Sequence, residues 1–364
     1  MKIIIAGGGT GGHIFPAVAI ANATQRLYPG TDVLFIGAKG KMEMEKVPQA
    51  GYKIIGLDIV GFNRSNLLKN ISLPFKLLKS RWRAKEILKE FKPDVVIGVG
   101  GFASFPMLNA AQSLGVPTLI QEQNSFAGKS NKILGKKAKV VCVAYENMEQ
   151  FFPKDKITKT GNPVRASIAQ STISKEEGIN AFGLDKGKKT LLIVGGSLGA
   201  KAINEAIAKD LKSLVDAGLQ VIWQTGMPFF NEALKAAEPF KDKVKVMEFI
   251  KEMEQAYAAA DIVISRAGAL AIAEMCIVAK PVIFVPYPFA AEDHQTSNAM
   301  ALVKNNAAWM VKNDDASKML VNKLLGLLKG EEIQQEMKNN LKEMAIVDAD
   351  ERIAKIVKQL AKSK

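Results

Sequence analysis

The chain has 364 residues, of which 48% are hydrophobic and 24% are charged. This composition is typical of a globular protein with about two domains, and it excludes disordered, collagen-like and disulfide-stapled proteins. The two cysteines, Cys142 and Cys276, do not belong to a CxxC pair, so we expect buried thiols rather than a zinc or redox motif.

The positive charge is concentrated in the first half of the chain. The formal net charge is +14, from 50 Lys and Arg against 36 Asp and Glu. Residues 1–165 hold 24 basic and 11 acidic residues, whereas residues 166–364 hold 26 and 25. A positive field on one half favours an anionic partner there, which leaves nucleic acid, anionic lipid and a phosphorylated substrate as candidates.

Short apolar strands alternate with helical stretches in the first half. We predict strands at residues 2–6, 32–36, 94–99, 118–121 and 140–143, and helices at 16–27, 77–91 and 105–114. The strands are apolar throughout, as strands covered on both faces are. The chain opens on a strand and a glycine turn rather than on a signal peptide, and no apolar run reaches the ~18 residues of a membrane span, so we expect a cytoplasmic protein.

The same pattern restarts in the second half. We predict strands at residues 190–194, 221–224, 244–248, 262–265 and 281–286, with helices such as 202–217 and 253–260 between them. Alternation of strands and helices predicts an α/β protein with parallel sheets and right-handed crossovers.

The two halves also begin alike, because residues 3–12 and residues 191–200 each read as a buried strand, a glycine turn and a helix start. We therefore predict two Rossmann-like parallel-sheet domains that face each other across a cleft. The first covers residues 1–165 and the second residues 166–345, since the apolar pattern lapses at 153–165. Residues 346–364 form an amphipathic helical segment that we expect to pack back on the first domain.

Three glycine-rich turns follow predicted strands: the first glycine loop is residues 7–12, the second 98–104 and the third 195–200. Glycines let backbone N–H groups approach an anion, and the following helix start adds its positive dipole end. Ligands bind at the carboxyl edge of such sheets, so the loops favour a phosphate or sugar ligand. A nicotinamide cofactor is disfavoured, because the second strand ends at Gly37-Ala38 without the acid that holds its ribose.

Few side chains suit acid–base or sugar chemistry. His13 lies at a helix start, where the dipole disfavours the imidazolium, so a neutral imidazole could accept a proton; a capping or packing role is the alternative. Glu274 falls on a predicted helix, where it could bind both hydroxyls of a ribose or be a solvated charge. Asn124 and Gln295 each follow a strand and suit sugar hydroxyls.

No residues have the spacing of a metal site. The only DxD sequence is residues 348–350, at the start of the last predicted helix, where a capping role is expected. We therefore expect chemistry without an obligatory metal and without a bound cofactor.

Residues 63–92 form a basic segment with nine Lys and Arg, two acids and interleaved apolar residues. Cationic residues beside exposed apolar ones suit an anionic membrane surface. The alternative is an ordinary helix with a solvated basic face. Nucleic acid is less favoured, because positions for aromatic stacking are sparse.

Taken together, these motifs resemble the peptidoglycan N-acetylglucosaminyltransferases of glycosyltransferase family 28. The matching motifs span nearly the whole chain, at residues 7–16, 98–106, 122–124, 161–165, 195–200, 266–274 and 293–298. The resemblance implies a GT-B fold and a hexosyltransferase that moves GlcNAc from UDP-GlcNAc to the C4 hydroxyl of the muramyl sugar of lipid I, giving lipid II with inversion. It also implies a peripheral enzyme on the cytoplasmic face of the inner membrane that needs no metal.

On the acceptor side, the resemblance implies that Thr10, Gly11 and Gly12 lie near the sugar and the acceptor. His13 occupies the position proposed to act on the acceptor hydroxyl. The second glycine loop contributes Gly100, Gly101 and Phe102.

On the donor side, the resemblance implies that the second domain binds the nucleotide. Ile250 would contact the uracil through its backbone, and Glu274 would hold the ribose hydroxyls. Ala269 and Leu270 would hold phosphate at the start of the same helix, and Ser197 would contact the diphosphate.

The remaining donor contacts implied by the resemblance are Arg165 to the diphosphate and Asn124 and Gln295 to the GlcNAc. The chain departs from the family pattern at two positions. Phe102 stands where tyrosine is frequent, and His294 replaces a residue that is often glutamine, so neither family contact is expected there.

Three other functions compete with this interpretation. A UDP-GlcNAc 2-epimerase shares the architecture but would not need the basic apolar segment. A nicotinamide-dependent oxidoreductase would need the missing acid after the second strand. A non-catalytic adaptor on a membrane surface would not require three glycine turns.

Overall fold

The computed structural model describes residues 1–61 and 73–362 of the chain. Its contacts divide the chain into two compact units. Unit 1 comprises Met1–Arg165 together with Asp348–Lys364, and unit 2 comprises Ala166–Val347.

The described part of unit 1 contains a parallel sheet of seven strands. The strands are β1 Lys2–Ala6, β2 Asp32–Ala38, β3 Lys53–Leu57, β4 Val95–Gly98, β5 Thr118–Glu122, β6 Val140–Val143 and β7 Ile157–Lys159. Their order in the sheet is β3-β2-β1-β4-β5-β6-β7. The order therefore reverses between β1 and β4, which is where open α/β sheets bind ligands.

Helices cover both faces of this sheet. They are α1 Gly11–Leu27, α2 Glu43–Gln49, α3 Leu73–Phe91, α4 Ser104–Ser113 and α5 Lys129–Gly135. Alternate residues of β1 belong to different cores: Ile4 packs in the cluster that contains α4, whereas Ile3 and Ile5 pack in the cluster that contains α1. Burial on both faces explains why the strands are continuously apolar.

The described part of unit 2 repeats this architecture with six parallel strands. They are β8 Lys189–Val194, β9 Leu219–Gln224, β10 Val244–Met247, β11 Ile262–Ser265, β12 Val282–Phe284 and β13 Trp309–Met310, in the order β10-β9-β8-β11-β12-β13. The helices are α6 Ala166–Ala169, α7 Lys175–Ala181, α8 Lys201–Asp216, α9 Phe230–Ala237, α10 Met253–Ala259, α11 Ala269–Val278, α12 His294–Val303, α13 Ala316–Lys329 and α14 Glu331–Met344.

The last helix, α15 Ala349–Lys362, belongs to unit 1. Its residues Ile353 and Val357 are fully buried in the same core as β1 and α1. Arg26 at the end of α1 pairs with Glu351 at 2.9 Å and with Asp350 at 3.6 Å.

The predicted α/β architecture of two Rossmann-like parallel-sheet domains is confirmed, but several boundaries were wrong. Strands β3, β7 and β13 were not predicted. Each is an edge strand, and β3 and β7 carry lysine or glycine in place of a continuous apolar run. Helix α1 begins at Gly11 rather than near Pro16, so two glycines form its first turn.

Candidate active site

The first and second glycine loops meet at the carboxyl edge of the unit 1 sheet. They follow the adjacent strands β1 and β4, and the Gly8 N–H donates to the Gly100 carbonyl at 3.3 Å. A Cβ atom on Gly101 would overlap the Gly8 carbonyl oxygen. The two loops interlock through their backbones, which requires glycine at this contact.

His13 lies against both loops. It is the third residue of α1 and is half-buried, with Nδ1 3.1 Å from the Gly8 carbonyl oxygen and 3.3 Å from the Thr10 hydroxyl. A Cβ atom on Gly100 would lie 2.8 Å from Nε2, so the glycine makes room for the ring. A carbonyl oxygen only accepts hydrogen bonds, so Nδ1 carries the hydrogen and Nε2 of the neutral ring has the lone pair that can take a proton.

Asn124 follows β5 and is held by a buried carboxylate. Glu122 accepts hydrogen bonds from the backbone N–H of Asn124 at 3.1 Å and from its Nδ2 at 3.3 Å. The same carboxylate also binds the Gly128 N–H at 3.1 Å and Asn131 Nδ2 at 2.8 Å. The loop is thereby fixed, and the Asn124 amide has a defined orientation at the edge of the sheet.

Buried amides tie three loops of unit 1 together. Gln123 donates from Nε2 to the Val99 carbonyl at 2.9 Å, and Asn162 donates from Nδ2 to the Gln123 carbonyl at 2.9 Å. Three residues later, the Arg165 guanidinium lies 5.3 Å from the ring centroid of Phe15, on the first turns of α1. The structure therefore brings Arg165 close to the helix that carries His13.

The third glycine loop contacts the turn after β9 in unit 2. Gly199 has φ +75°, and a Cβ atom there would overlap the Thr225 carbonyl oxygen. Gln224 donates from Nε2 to the Gly196 carbonyl at 3.0 Å and accepts the Ile250 N–H at 2.9 Å. Because that N–H is already bound within the chain, a contact from the Ile250 backbone to a base falls to its carbonyl oxygen.

The hydrogen bond from Gln224 to the Gly196 carbonyl also orients the N–H of the next residue, Ser197. The two groups belong to one trans peptide and point in opposite directions, so the Ser197 N–H points away from Gln224. Ser197 is exposed, and its N–H and hydroxyl together suit an anion.

Glu274 is buried, with 8% of its surface exposed, and its Oε2 accepts a 2.7 Å hydrogen bond from the Tyr257 hydroxyl. It lies on α11, which begins at Ala269 and continues through Leu270 at the carboxyl end of β11. This burial is inconsistent with the solvated-charge alternative. The helix N-terminus and the carboxylate lie on the same ten-residue helix, one suited to phosphate and the other to hydroxyl donors.

Arg266 supports the loop that leads to Gln295, and sequence reasoning gave it no role. Its guanidinium donates to the carbonyls of Val285 and Pro286, both at 2.9 Å, and burial lowers its pKa to about 10. The next residue, Tyr287, donates its N–H to Gln295 Oε1 at 2.9 Å. The Nε2 of Gln295 is therefore the atom through which this amide could contact a sugar oxygen.

Both halves of the chain match a known glycosyltransferase family. The family model for the glycosyltransferase family 28 N-terminal domain matches residues 3–143, and that for the C-terminal domain matches residues 190–353. The chain belongs to glycosyltransferase family 28.

A curated family 28 relative from Phocaeicola vulgatus is 52% identical over 99% of this chain and 96% of its own length. It is named UDP-N-acetylglucosamine–N-acetylmuramyl-(pentapeptide) pyrophosphoryl-undecaprenol N-acetylglucosamine transferase. The crystal structure of MurG from Acinetobacter baumannii is 31% identical, with a TM-score of 0.79 over 98% of this chain and 99% of that one. A UDP-GlcNAc 2-epimerase from Neisseria meningitidis, at 16% identity and a TM-score of 0.67 over the full length of both chains, shares the fold alone.

The residues singled out from the sequence of this family 28 chain divide between the two units. The unit 1 group contains Thr10, Gly11, Gly12, His13, Gly100, Gly101, Phe102, Asn124 and Arg165, and the unit 2 group contains Ser197, Ile250, Ala269, Leu270, Glu274 and Gln295. Phe102 is partly exposed and packs over Gly61, where a Cβ atom would overlap its ring.

Residues 1–61 and 73–362 contain neither a cluster of metal ligands nor a helix suited to span a membrane. No group of three or more His, Cys, Asp and Glu side chains there is arranged to hold a metal ion. None of the helices in this part of the chain combines the length and the apolar composition of a membrane span.

Sequence reasoning also missed Glu43, whose carboxylate binds the backbone of the first glycine loop and of the end of β2. An acidic side chain, Glu43, therefore does lie at the end of β2. It is buried, however, and its carboxylate accepts hydrogen bonds from two backbone N–H groups. It is not placed to hold the ribose of a dinucleotide. Nothing in the run from Lys41 to Lys46 distinguishes Glu43 from Glu45, so no linear signal marks it.

Proposed function

We propose that the chain transfers GlcNAc from UDP-GlcNAc to the C4 hydroxyl of MurNAc-pentapeptide-pyrophosphoryl-undecaprenol (lipid I), forming lipid II. Near-full-length identity to the P. vulgatus transferase supports the reaction and both substrates. The geometry that carries the mechanism is His13, whose Nδ1–H binds the Gly8 carbonyl and whose Nε2 is therefore the basic nitrogen.

In the proposed reaction, unit 1 binds the acceptor and supplies the base. The C4 oxygen attacks the anomeric carbon of GlcNAc as its proton passes to His13 Nε2. The new C1–O bond forms while the bond from C1 to the phosphate oxygen breaks, and that electron pair leaves with UDP. Attack opposite to the leaving group inverts the anomeric configuration.

Unit 2 binds the departing nucleotide in this proposal. Ser197 and the first N–H groups of α11, at Ala269 and Leu270, meet the diphosphate, because N–H groups at a helix start favour an anion. Glu274 accepts from the ribose hydroxyls, since a buried carboxylate is a strong acceptor. The Ile250 carbonyl accepts from the N3–H of uracil.

The remaining donor contacts complete the proposal. Arg165 supplies a guanidinium to the diphosphate, so that charge developing on the leaving group is met without an obligatory metal. Asn124 and Gln295 hold the GlcNAc hydroxyls through amides that Glu122 and the Tyr287 N–H orient. Thr10, which lies beside His13, borders the acceptor.

We further propose that α3 docks unit 1 on the cytoplasmic face of the inner membrane. Phe75, Leu78 and Trp82 are 75%, 66% and 65% exposed. Their spacing of three and four residues puts them on one face of the helix, and the helix carries lysine and arginine beside them. Basic residues around exposed apolar ones favour an anionic lipid surface. Residues 63–72 of the basic segment lie outside the described residues.

A transfer assay tests the proposed reaction. The purified chain is incubated with UDP-GlcNAc and a lipid I analogue, with and without EDTA, and the products are identified by mass spectrometry. We expect the disaccharide product and UDP in equal amounts, at the same rate with chelator. Conversion of UDP-GlcNAc to its 2-epimer without transfer would overturn the proposal, and loss of transfer with EDTA would overturn its metal-free form.

A further inference from the structure

A buried carboxylate outside the proposed set of substrate contacts lies behind the first glycine loop. Glu43, the first residue of α2, is 1% exposed. Its Oε2 accepts the Gly9 N–H at 2.7 Å, and its Oε1 accepts the Ala38 N–H at 2.9 Å. A buried charge is costly unless it is hydrogen-bonded, so these two N–H groups set the position of the carboxylate.

Two glycines make room for this carboxylate. Gly8 has φ +142°, and a Cβ atom there would overlap the Glu43 carboxyl group. A Cβ atom on Gly37 would lie 2.5 Å from Glu43 Cγ. The backbone on both sides is thus free of side chains where the carboxylate sits, and any larger residue would displace it.

The carboxylate and His13 bind the two ends of one peptide group. The Gly9 N–H and the Gly8 carbonyl belong to the same planar trans peptide and point in opposite directions. The N–H donates to Glu43, and the carbonyl accepts from His13 Nδ1 at 3.1 Å. Because glycine lies on both sides, this peptide could rotate at little cost unless something held it.

We propose that Glu43 is a positioning residue that sets His13 through the Gly8–Gly9 peptide. By binding the Gly9 N–H, it keeps the Gly8 carbonyl facing Nδ1, and the imidazole then stays in the tautomer with its lone pair on Nε2. The inference deepens the proposed function, because it matters for catalysis only if His13 accepts the acceptor's proton.

The same contact also acts on the charge of the ring. A peptide whose N–H is bound to a carboxylate has a more strongly accepting carbonyl, so Glu43 favours the imidazolium formed when Nε2 takes a proton. The Thr10 hydroxyl and the Gly100 backbone also lie against the ring. Arg165 lies over the ring of Phe15 on the same helix, and its positive charge opposes that effect.

The first test needs no substrate. The chain contains only two histidines, so ¹⁵N-labelled imidazole signals can be assigned with one variant, His294→Gln. We expect His13 in the Nδ1–H tautomer in the wild type. Glu43→Gln keeps the shape of the side chain, but its amide has only one accepting oxygen for two N–H groups. It should therefore lower the pKa of His13 and mix the tautomers.

Glu45→Gln is the matched control, because Glu45 lies on the same helix, is exposed and makes the same change of charge. It should leave the His13 signals unchanged. An unchanged tautomer and an unchanged His13 pKa in folded Glu43→Gln would overturn the proposal.

The second test separates this proposal from the proposed function. With a lipid I analogue, Glu43→Gln should lower kcat about tenfold, a part of what a general base contributes, and keep the KM for UDP-GlcNAc within about twofold. In a plot of kcat against pH, the acid limb should move to lower pH. His13 must be unprotonated to act as the base, and its pKa is lower in this variant. A purely structural defect would not move this limb.

A double-mutant cycle completes the test. In a His13→Ala background, Glu43→Gln should cause no further loss of kcat. An equal loss in both backgrounds would overturn the positioning role and leave the transferase function standing. If His13→Ala alone keeps the wild-type kcat, the proton-acceptor role fails, while the spectroscopic result still decides the link between Glu43 and the ring.

Discussion

The first and third glycine loops follow equivalent strands in units 1 and 2, but their peptides are held in opposite directions. In unit 1, Glu43 only accepts hydrogen bonds, so it draws the Gly9 N–H inward and leaves the Gly8 carbonyl facing His13. In unit 2, Gln224 donates to the Gly196 carbonyl and draws it inward, so the following N–H points away.

This difference shows that a glycine turn is not by itself an anion site. The side chain behind the turn decides whether carbonyl or N–H groups face the ligand, because the two groups of a trans peptide point in opposite directions. The first loop therefore suits the orientation of a base, and the third loop suits the binding of a diphosphate. Substitutions can test this division of roles.

The largest effect should come from His13→Ala. Loss of a general base lowers kcat by about 10²- to 10⁴-fold, and donor affinity should stay within about threefold of the wild type because unit 2 holds the nucleotide in this proposal. Steady-state kinetics and titration calorimetry with UDP measure the two quantities. A kcat within a few-fold of the wild type would remove His13 from the role of base.

The next largest effect should come from Glu274→Ala, and it should fall on donor binding. A hydrogen bond to a charged group contributes about 1.5–3 kcal/mol, so affinity for UDP-GlcNAc should drop about 10- to 100-fold. Tyr257→Phe removes the neighbouring hydroxyl but leaves the carboxylate, and it should cost less. Unchanged affinity in a folded Glu274→Ala protein would rule out the ribose contact.

A smaller effect is expected from Gln224→Glu. The carboxylate cannot donate the hydrogen bond that Gln224 gives to the Gly196 carbonyl. The Gly196 carbonyl would face a carboxylate and lose one of its two donors, keeping the Gly199 N–H, and the loss costs about 1–3 kcal/mol. We expect donor affinity to fall about tenfold with little change in kcat at saturating donor. Gln335→Glu on α14 makes the same change of charge at an exposed site and should have no effect. A fall in kcat alone would contradict the division of roles.

The smallest effect on transfer itself should come from α3. Replacing Phe75, Leu78 and Trp82 together by serine should release the protein from anionic liposomes in a sedimentation assay, because the exposed apolar face is lost. Transfer to a soluble acceptor should not change. Leu198→Ser with Met227→Ser, at exposed positions of unit 2, is the control and should bind liposomes as the wild type does. Retained binding of the α3 variant would identify another docking surface.

The sequence predicts central strands better than edges and better than buried charges. Strands such as β1 and β8 are apolar on both faces, so their pattern is unambiguous. The edge strand β3 includes Gly56 and is only partly buried, so its pattern is weak. The boundary of α1 was wrong because Gly11 and Gly12 are poor helix formers, so the sequence pattern does not mark them as part of the first turn.

The sequence drew attention to the glycines and polar side chains of the candidate site. It did not reveal the buried side chains that hold them in place. Glu43 and Arg266 act through burial and through backbone partners that are distant in sequence. For Glu274, the sequence left two alternatives open, and only the packing of Tyr257 against it distinguishes them. Spacing along the chain carries no signal for contacts of this kind.

The return of α15 to unit 1 has a consequence for the order in which the molecule is built on the ribosome. Unit 2 is a continuous stretch, Ala166–Val347, whereas unit 1 lacks a helix of its core until residues after Val347 have been synthesised. Ile353 and Val357 fill the face of the sheet that also supports α1. The helix that bears the imidazole therefore gains this part of its supporting core only after unit 2 has been translated, so termination before α15 would leave the core of unit 1 incomplete.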